Sequence, residues 1–159
     1  MGQRSAALAE DFERAMDDLA ATIERCSDGQ WQATVEEGWT VAAAAQHIVG
    51  QFPLEFEYLE PAAAGKPLPG YTWDDINRKN DTRAAAERNI RKQDVLAKLE
   101  AERARVAQWL RGLRDEQLDH ASALALADGA SVTTQQLIEG GVLIDHVRAH
   151  TRSIQAVLG

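Results

Sequence analysis

VTTQQLIEGGVLIDHVRAHTRSIQAVLG, residues 132–159, carries both the clearest helix start in the chain and the two histidines that decide how the rest is read. Thr133 is an N-cap residue, Gln136 stands three positions later as its reciprocal partner, and Val132 can staple against Leu137. The stretch predicts a helix from Thr133 almost to Gly159. Within it His146-Val147-Arg148-Ala149-His150 places two imidazoles four residues apart, so they stack on one face with Cβ atoms about 5–6 Å apart. Leu143, Ile154 and Val157 point inward beside them. Two rings so placed can share one divalent ion if a third ligand comes from a neighbouring helix, and His47 lies in a separate helical segment that can supply it. In a chain of this length with four histidines, some pair falls four apart roughly one time in thirteen by chance. The spacing therefore draws its weight from its place on a capped amphipathic helix. The competing reading is of surface or hydrogen-bonded core histidines.

Apolar residues recur at three- and four-residue spacing along most of the chain. Leu8, Phe12, Met16, Leu19, Ile23 and Cys26 mark a first helix, closed by Ser27-Asp28-Gly29. Thr40 caps a second, striped by Val41, Ala45, Ile48, Phe52, Phe56 and Leu59, which Pro53 should bend or which should stop before Pro61. Thr72 and Asp75 open a weakly apolar third helix to about Asn89. Val95, Leu96, Leu99, Val106, Leu110 and Leu113 mark a fourth, ending near Gly112, with one further turn in Arg114 to Gln117. Asp119 to Ser131 reads as a loop, and the isolated Ala121 to Leu126 run is too short for a sheet. The expected fold is all-α: one domain, residues 1–159, a four-helix bundle with long crossovers at Pro61–Tyr71 and Asp119–Ser131 and a short extra helix.

The net charge of −8 opposes a phosphate backbone, and no basic stripe interleaved with aromatics offsets it, so no nucleic-acid partner is expected. One cysteine forms no internal disulfide, and neither a basic-apolar leader nor a membrane-length apolar run is present. A reducing cytoplasm with no membrane attachment is the expected setting. A homodimer is compatible with such a bundle, although no apolar stripe is surplus to the core.

Several other residues bear on a site. Gln51, one turn beyond His47, and Glu139, seven before His146, can face the same pocket as the histidines and orient a ligand. Asn77 is a candidate of the same kind, against the ordinary role of helix-start asparagines in satisfying backbone. Tyr58 and Trp73 are cleft-lining or core aromatics. Gly140 and Gly141, inside the expected last helix, point to a close helix contact or to room for a ligand. His120 reads as solvent-exposed, and Cys26 as core.

Trp39-Thr40-Val41 leading into an alanine-rich helix with His47-Ile48-Val49, together with the late His146-Val147-Arg148-Ala149-His150, resembles the DinB-like superfamily of metal-binding bundles over almost the whole chain. Asp75-Ile76-Asn77 resembles a further feature of that superfamily. The resemblance implies a four-helix bundle in which His47, His146 and His150 hold one divalent ion, with open positions for water or substrate. It also implies, as one class of activity, thiol-dependent S-transfer or isomerisation using bacillithiol, mycothiol or glutathione. His146 stands where the mycothiol-dependent maleylpyruvate isomerases tend to place a glutamate, and their C-terminal extension is missing.

Three neutral nitrogen ligands leave an ion its positive charge and open positions, so it can lower the pKa of a bound thiol or activate water. Zinc or nickel is favoured, with manganese or iron also compatible. The residues between the two late histidines include no glutamate, so a zinc-protease base is missing. The expected function is a metal-dependent enzyme that joins a low-molecular-weight thiol to a small electrophile, with Gln51 and Asn77 as catalytic candidates. Alternatives are a metal-dependent hydrolase and a non-enzymatic metal-binding stress-response module. Thirteen arginines against four lysines, and abundant alanine, suggest a GC-rich bacterial genome, in which mycothiol is one candidate thiol.

Overall fold

The computed structural model describes residues 2–87 and 89–159. Its helices are α1 (Gln3–Arg25), the one-turn α2 (Asp28–Trp31), α3 (Val41–Gly50), α4 (Phe52–Ala63), α5 (Trp73–Ala86), α6 (Lys92–Gly112), the one-turn α7 (Asp115–Leu118), α8 (Thr134–Glu139) and α9 (Ile144–Leu158). Between α7 and α8 lies an antiparallel hairpin of β1 (Ala121–Leu124) and β2 (Ala130–Thr133). The architecture is mainly helical: α1 packs on α6 and α9, and α3 packs on α6 and α9 from the other side.

The sequence of α3, VAAAAQHIVG, explains its central position. A helix apolar on every side is stable only when surrounded, and all ten of its residues are buried. The alanines let neighbouring backbones approach, while Thr40 caps the start by accepting from the Ala43 amide at 3.0 Å. On α1 the buried positions Leu8, Phe12, Met16, Leu19 and Ile23 form the stripe that faces this centre. The amides at the start of α1 are met from far along the chain, where the Asp115 carboxylate accepts from the Arg4 and Ser5 amides at 3.4 and 3.3 Å.

Four sequence expectations need correction. The Asp119–Ser131 loop contains the hairpin, turned at Asp128 and Gly129 with φ of 55° and 80°. Such left-handed pairs suit Asp-Gly, because glycine carries no Cβ and aspartate tolerates the region. The last helix is two helices: α8 ends at Glu139, and residues 140–143 form a turn before α9. Gly140 is required there, since a Cβ would lie 2.8 Å from the Gln136 carbonyl oxygen. The second helix breaks at Gln51, with Pro53 in the first turn of α4, where its missing N–H costs nothing. Pro61 does not end α4, which continues to Ala63. Ser27 caps the short α2, accepting from the Gln30 amide, where only a helix stop was expected.

Candidate metal centre

His47 points from buried α3 toward α9, and His146 and His150 meet it from successive turns of α9. The Nε2 atoms of His47 and His146 are 3.1 Å apart, and one ring nitrogen from each of the three histidines lies within 4.8 Å of the others. A tetrahedral ion with ligands at about 2.1 Å needs nitrogens roughly 3.4 Å apart, so small side-chain adjustments suffice to hold one. The rings meet edge to face, with centroids 4.7–5.0 Å apart. The residues between the late histidines fix which face they show. Val147 is fully buried, and Arg148 reaches the other way to Asp11 of α1 at 2.6 Å.

The remaining ring nitrogens are backed by carboxylates. His146 Nδ1 is 2.7 Å from Glu55 Oε1, and His150 Nδ1 is 3.3 Å from Glu37 Oε1. Neither approach has the geometry of a full hydrogen bond, and both Glu55 oxygens are buried without a partner that meets it. A carboxylate behind a histidine fixes the ring and raises the basicity of the nitrogen in front, an arrangement common around bound metals. This donor set fits a divalent cation.

Burial keeps His47 and His150 neutral. It pushes His47 down to about 2, helped by the neighbouring His146, His150 and Arg83, and pushes His150 down to about 4, with His146 adding to the effect and Glu37 opposing it. Burial pushes the Glu55 carboxyl up. Neutral imidazoles are the form that binds metal.

Trp39 closes one side, edge-on to His47 and stacked over His150, with its indole N–H donating to Asp81 at 3.3 Å. It is placed by a tight loop in which the Val35 amide donates to the Trp39 carbonyl, with Gly38 at φ 87°. The same loop presents Glu37.

The histidines open into a chamber of about 690 Å³. Gln51, Asn77, Tyr58 and Trp73 all line it. Gln51 is buried and its carboxamide oxygen accepts from Arg83 at 3.0 Å. Asn77 is exposed at the margin, and Trp73 is 58% exposed. Gly141 lines the chamber, in keeping with the ligand-space reading. Glu139 is not brought to the site: it is exposed and accepts from Gln135. His120 is half-buried rather than exposed, with Nδ1 2.9 Å from the Ala63 carbonyl. Cys26 is buried, and burial pushes its thiol up, as suits a core residue.

Sequence reasoning missed Glu55, Glu37 and Trp39 as neighbours of the histidines. Glu55 carried a signal, since Phe52, Glu55, Phe56 and Leu59 occupy one apolar helical stripe in which a carboxylate is out of place. Glu37 sits in a loop without periodicity and gave none.

Among solved structures the chain is similar to YfiT from Bacillus subtilis, described as a probable metal-dependent hydrolase with an unusual four-helix bundle topology. That match has a TM-score of 0.77 and 17% identity, covering 99% of this chain and 87% of that one. It is also similar to the colibactin self-resistance protein ClbS, solved in complex with double-stranded DNA (TM-score 0.72, 12% identity, 97% and 94% coverage). A third match is a mycothiol-dependent maleylpyruvate isomerase (TM-score 0.64, 13% identity), of which the alignment covers 59%, with 98% of this chain. At such identities these likenesses bear on the fold alone. No curated protein matches the sequence. A family model does, over residues 11–154, nine-tenths of the chain, and with the bundle and its three histidines in view the chain belongs to the DinB superfamily.

Proposed function

We propose that the protein is a divalent-metal-dependent enzyme whose ion is held by His47, His146 and His150, and that it uses a low-molecular-weight thiol against a small electrophile. The observation that carries this reading is the convergence of three imidazoles, two of them backed by carboxylates, at a chamber large enough for a small molecule. Zinc or nickel suits the all-nitrogen set best. When bound, the ion supplies Lewis acidity, which lowers the pKa of a thiol or water beside it. The chain's own groups do the rest. Glu55 and Glu37 hold the His146 and His150 rings, Trp39 shields His47 and His150 from water, and Gln51 contacts a ligand. Asn77 contacts substrate at the margin.

Hydrolysis on the same site is the second reading, favoured by the likeness to YfiT. A nucleic-acid partner is not part of either reading. ClbS was solved on DNA, but this chain carries a net charge of −8 and would approach a duplex against repulsion.

The test starts with elemental analysis of protein purified without an immobilised-metal column. One ion per chain is expected, and the triple substitution His47→Ala, His146→Ala and His150→Ala should abolish it; equal metal in both would end the reading. Turnover of an electrophile only with added thiol identifies the transferase, and turnover in water alone identifies the hydrolase. In cobalt-loaded protein a small thiol should perturb the visible spectrum, whereas a purely structural ion would not respond. Gln51→Ala and Asn77→Ala should lower turnover more than metal content.

A further inference from the structure

The two carboxylates behind the histidines are held in different ways. Glu55 belongs to α4 and its side chain is 6% exposed, so packing fixes it. Glu37 stands in the loop between α2 and α3, and its side chain is 31% exposed. Water competes for a carboxylate so placed, and a loop side chain has several rotamers open to it. Such a group stays at the ring only if a second contact keeps it there.

The last helix supplies that contact. Ser153, three residues beyond His150 and on the same face of α9, donates its hydroxyl to Glu37 Oε1 at 3.1 Å. The same oxygen lies 3.3 Å from His150 Nδ1. An ionised carboxylate only accepts, so the direction of the Ser153 bond is fixed. The loop that carries Glu37 is itself closed: Thr34 and Thr40 pair as a single antiparallel bridge, the Val41 amide donates to the Ala33 carbonyl at 2.8 Å, and Val35 is buried in the core. Its other contact with His150 is Trp39, stacked on the imidazole with centroids 6.0 Å apart. One loop therefore grips the imidazole on its Nδ1 edge and on one face, and Ser153 ties that loop to the helix bearing the histidine.

The charge at Oε1 decides where the neutral ring keeps its proton. A proton on Nδ1 faces a negative oxygen, whereas a lone pair there would be repelled by it. The Nδ1–H tautomer is favoured, and Nε2 is left with the lone pair that a cation needs. We infer that Ser153 is a positioning residue of the metal centre: by holding Glu37 at His150 Nδ1 it fixes the tautomer that presents Nε2 to the ion. The part played in metal binding rests on the three-histidine centre proposed above, whereas the tautomer does not.

Ser153→Ala removes the hydroxyl, and Ser153→Thr keeps one. In metal-free protein at pH 7, nitrogen chemical shifts from long-range proton–nitrogen correlation spectra should report His150 as the Nδ1–H tautomer in the wild type and in Ser153→Thr, and as a mixture in Ser153→Ala. Competition with a chromogenic chelator should show zinc affinity about fivefold weaker in Ser153→Ala, the ordinary net worth of one hydrogen bond, and about 10–100-fold weaker in Glu37→Ala. Adding Ser153→Ala to Glu37→Ala should cost nothing more, because the serine acts only through the glutamate. A purely structural serine would weaken both backgrounds equally and leave the tautomer alone. Circular dichroism checks that each variant folds. A wild-type His150 that carries its proton on Nε2 overturns the inference, as does a tautomer unchanged in folded Ser153→Ala or an undiminished effect of that substitution in the Glu37→Ala background. Wild type that binds no zinc, with a tautomer that shifts in Ser153→Ala, sinks the metal centre alone. Wild type that binds one zinc, with tautomer and affinity both unaltered in Ser153→Ala, sinks only this inference.

Discussion

At the scale of the residue, the sharpest expectation concerns Glu55. A carboxylate that orients a ligating imidazole typically affects metal affinity by about 10–100-fold. Glu55→Gln keeps the shape of the side chain and replaces the carboxyl that faces His146 Nδ1 with an amide, so zinc affinity measured by competition with a chromogenic chelator should fall within that range while the helical spectrum stays unchanged. Unaltered affinity would mean that the 2.7 Å contact with His146 is only packing. Asp11 gives a pH expectation. Its hydrogen bond to Arg148, with the charge of that group and of Arg14 beside it, holds its carboxyl below the ordinary 3.8. A depressed carboxylate contributes stability that is present above its unfolded pKa and lost as pH falls through the folded one. Asp11→Asn should therefore cost about 0.5–1 kcal/mol at pH 7, the pair being one-third exposed. The deficit should shrink when urea melts are repeated toward pH 3; a deficit independent of pH would assign the loss to packing.

At the scale of the element, the turn at residues 140–143 is the most exacting piece of backbone. Gly140→Ala would press a Cβ against the Gln136 carbonyl, and a shift of that turn displaces the start of α9. A loss of about 1–3 kcal/mol in chemical denaturation is expected, whereas Gly141→Ala, with open space around it, should be nearly neutral. Equal effects at the two glycines would refute this reading. The same turn shows where sequence reading stopped short. Capping at Thr40, Thr72 and Thr133 was legible because it depends on residues three apart, and each of these threonines caps a helix as expected. The break after Glu139 was not, because apolar spacing carries on across it through Val142, Leu143 and Val147. The hairpin was passed over although Asp128-Gly129 is its turn signal, since two four-residue strands hold together only by packing against helices. His47, His146 and His150 were legible from spacing and resemblance, whereas Glu37 depends on a loop whose path no periodicity records.

At the scale of the whole molecule, the three histidines join α3 to α9, so a bound ion fastens the buried middle of the bundle to its last helix. Ligand linkage predicts about 2.7 kcal/mol of stabilisation at a free metal concentration one hundred times the Kd. For a chain of this size that is a rise in Tm of roughly 5–10 °C. Scanning calorimetry with zinc and with chelator should show it, and the His47→Ala variant should not. Coincident melts for the wild type would place the ion, if any, away from these helices. Among the described residues no helix is long and apolar enough to cross a membrane.

Trp73 donates its indole N–H to the Leu126 carbonyl at 2.9 Å, fastening α5 to the outer end of the hairpin. The histidines sit on helices locked into the core, while the opposite wall is a two-stranded ribbon tied to a mostly polar helix by contacts of this kind. The floor and the wall of the chamber therefore belong to different mechanical regimes. Amide protons of α3 should exchange only on global unfolding, while those of residues 121–133 exchange through smaller local openings. A bulky guest can be admitted by yielding of the ribbon without disturbing the distances between the histidines.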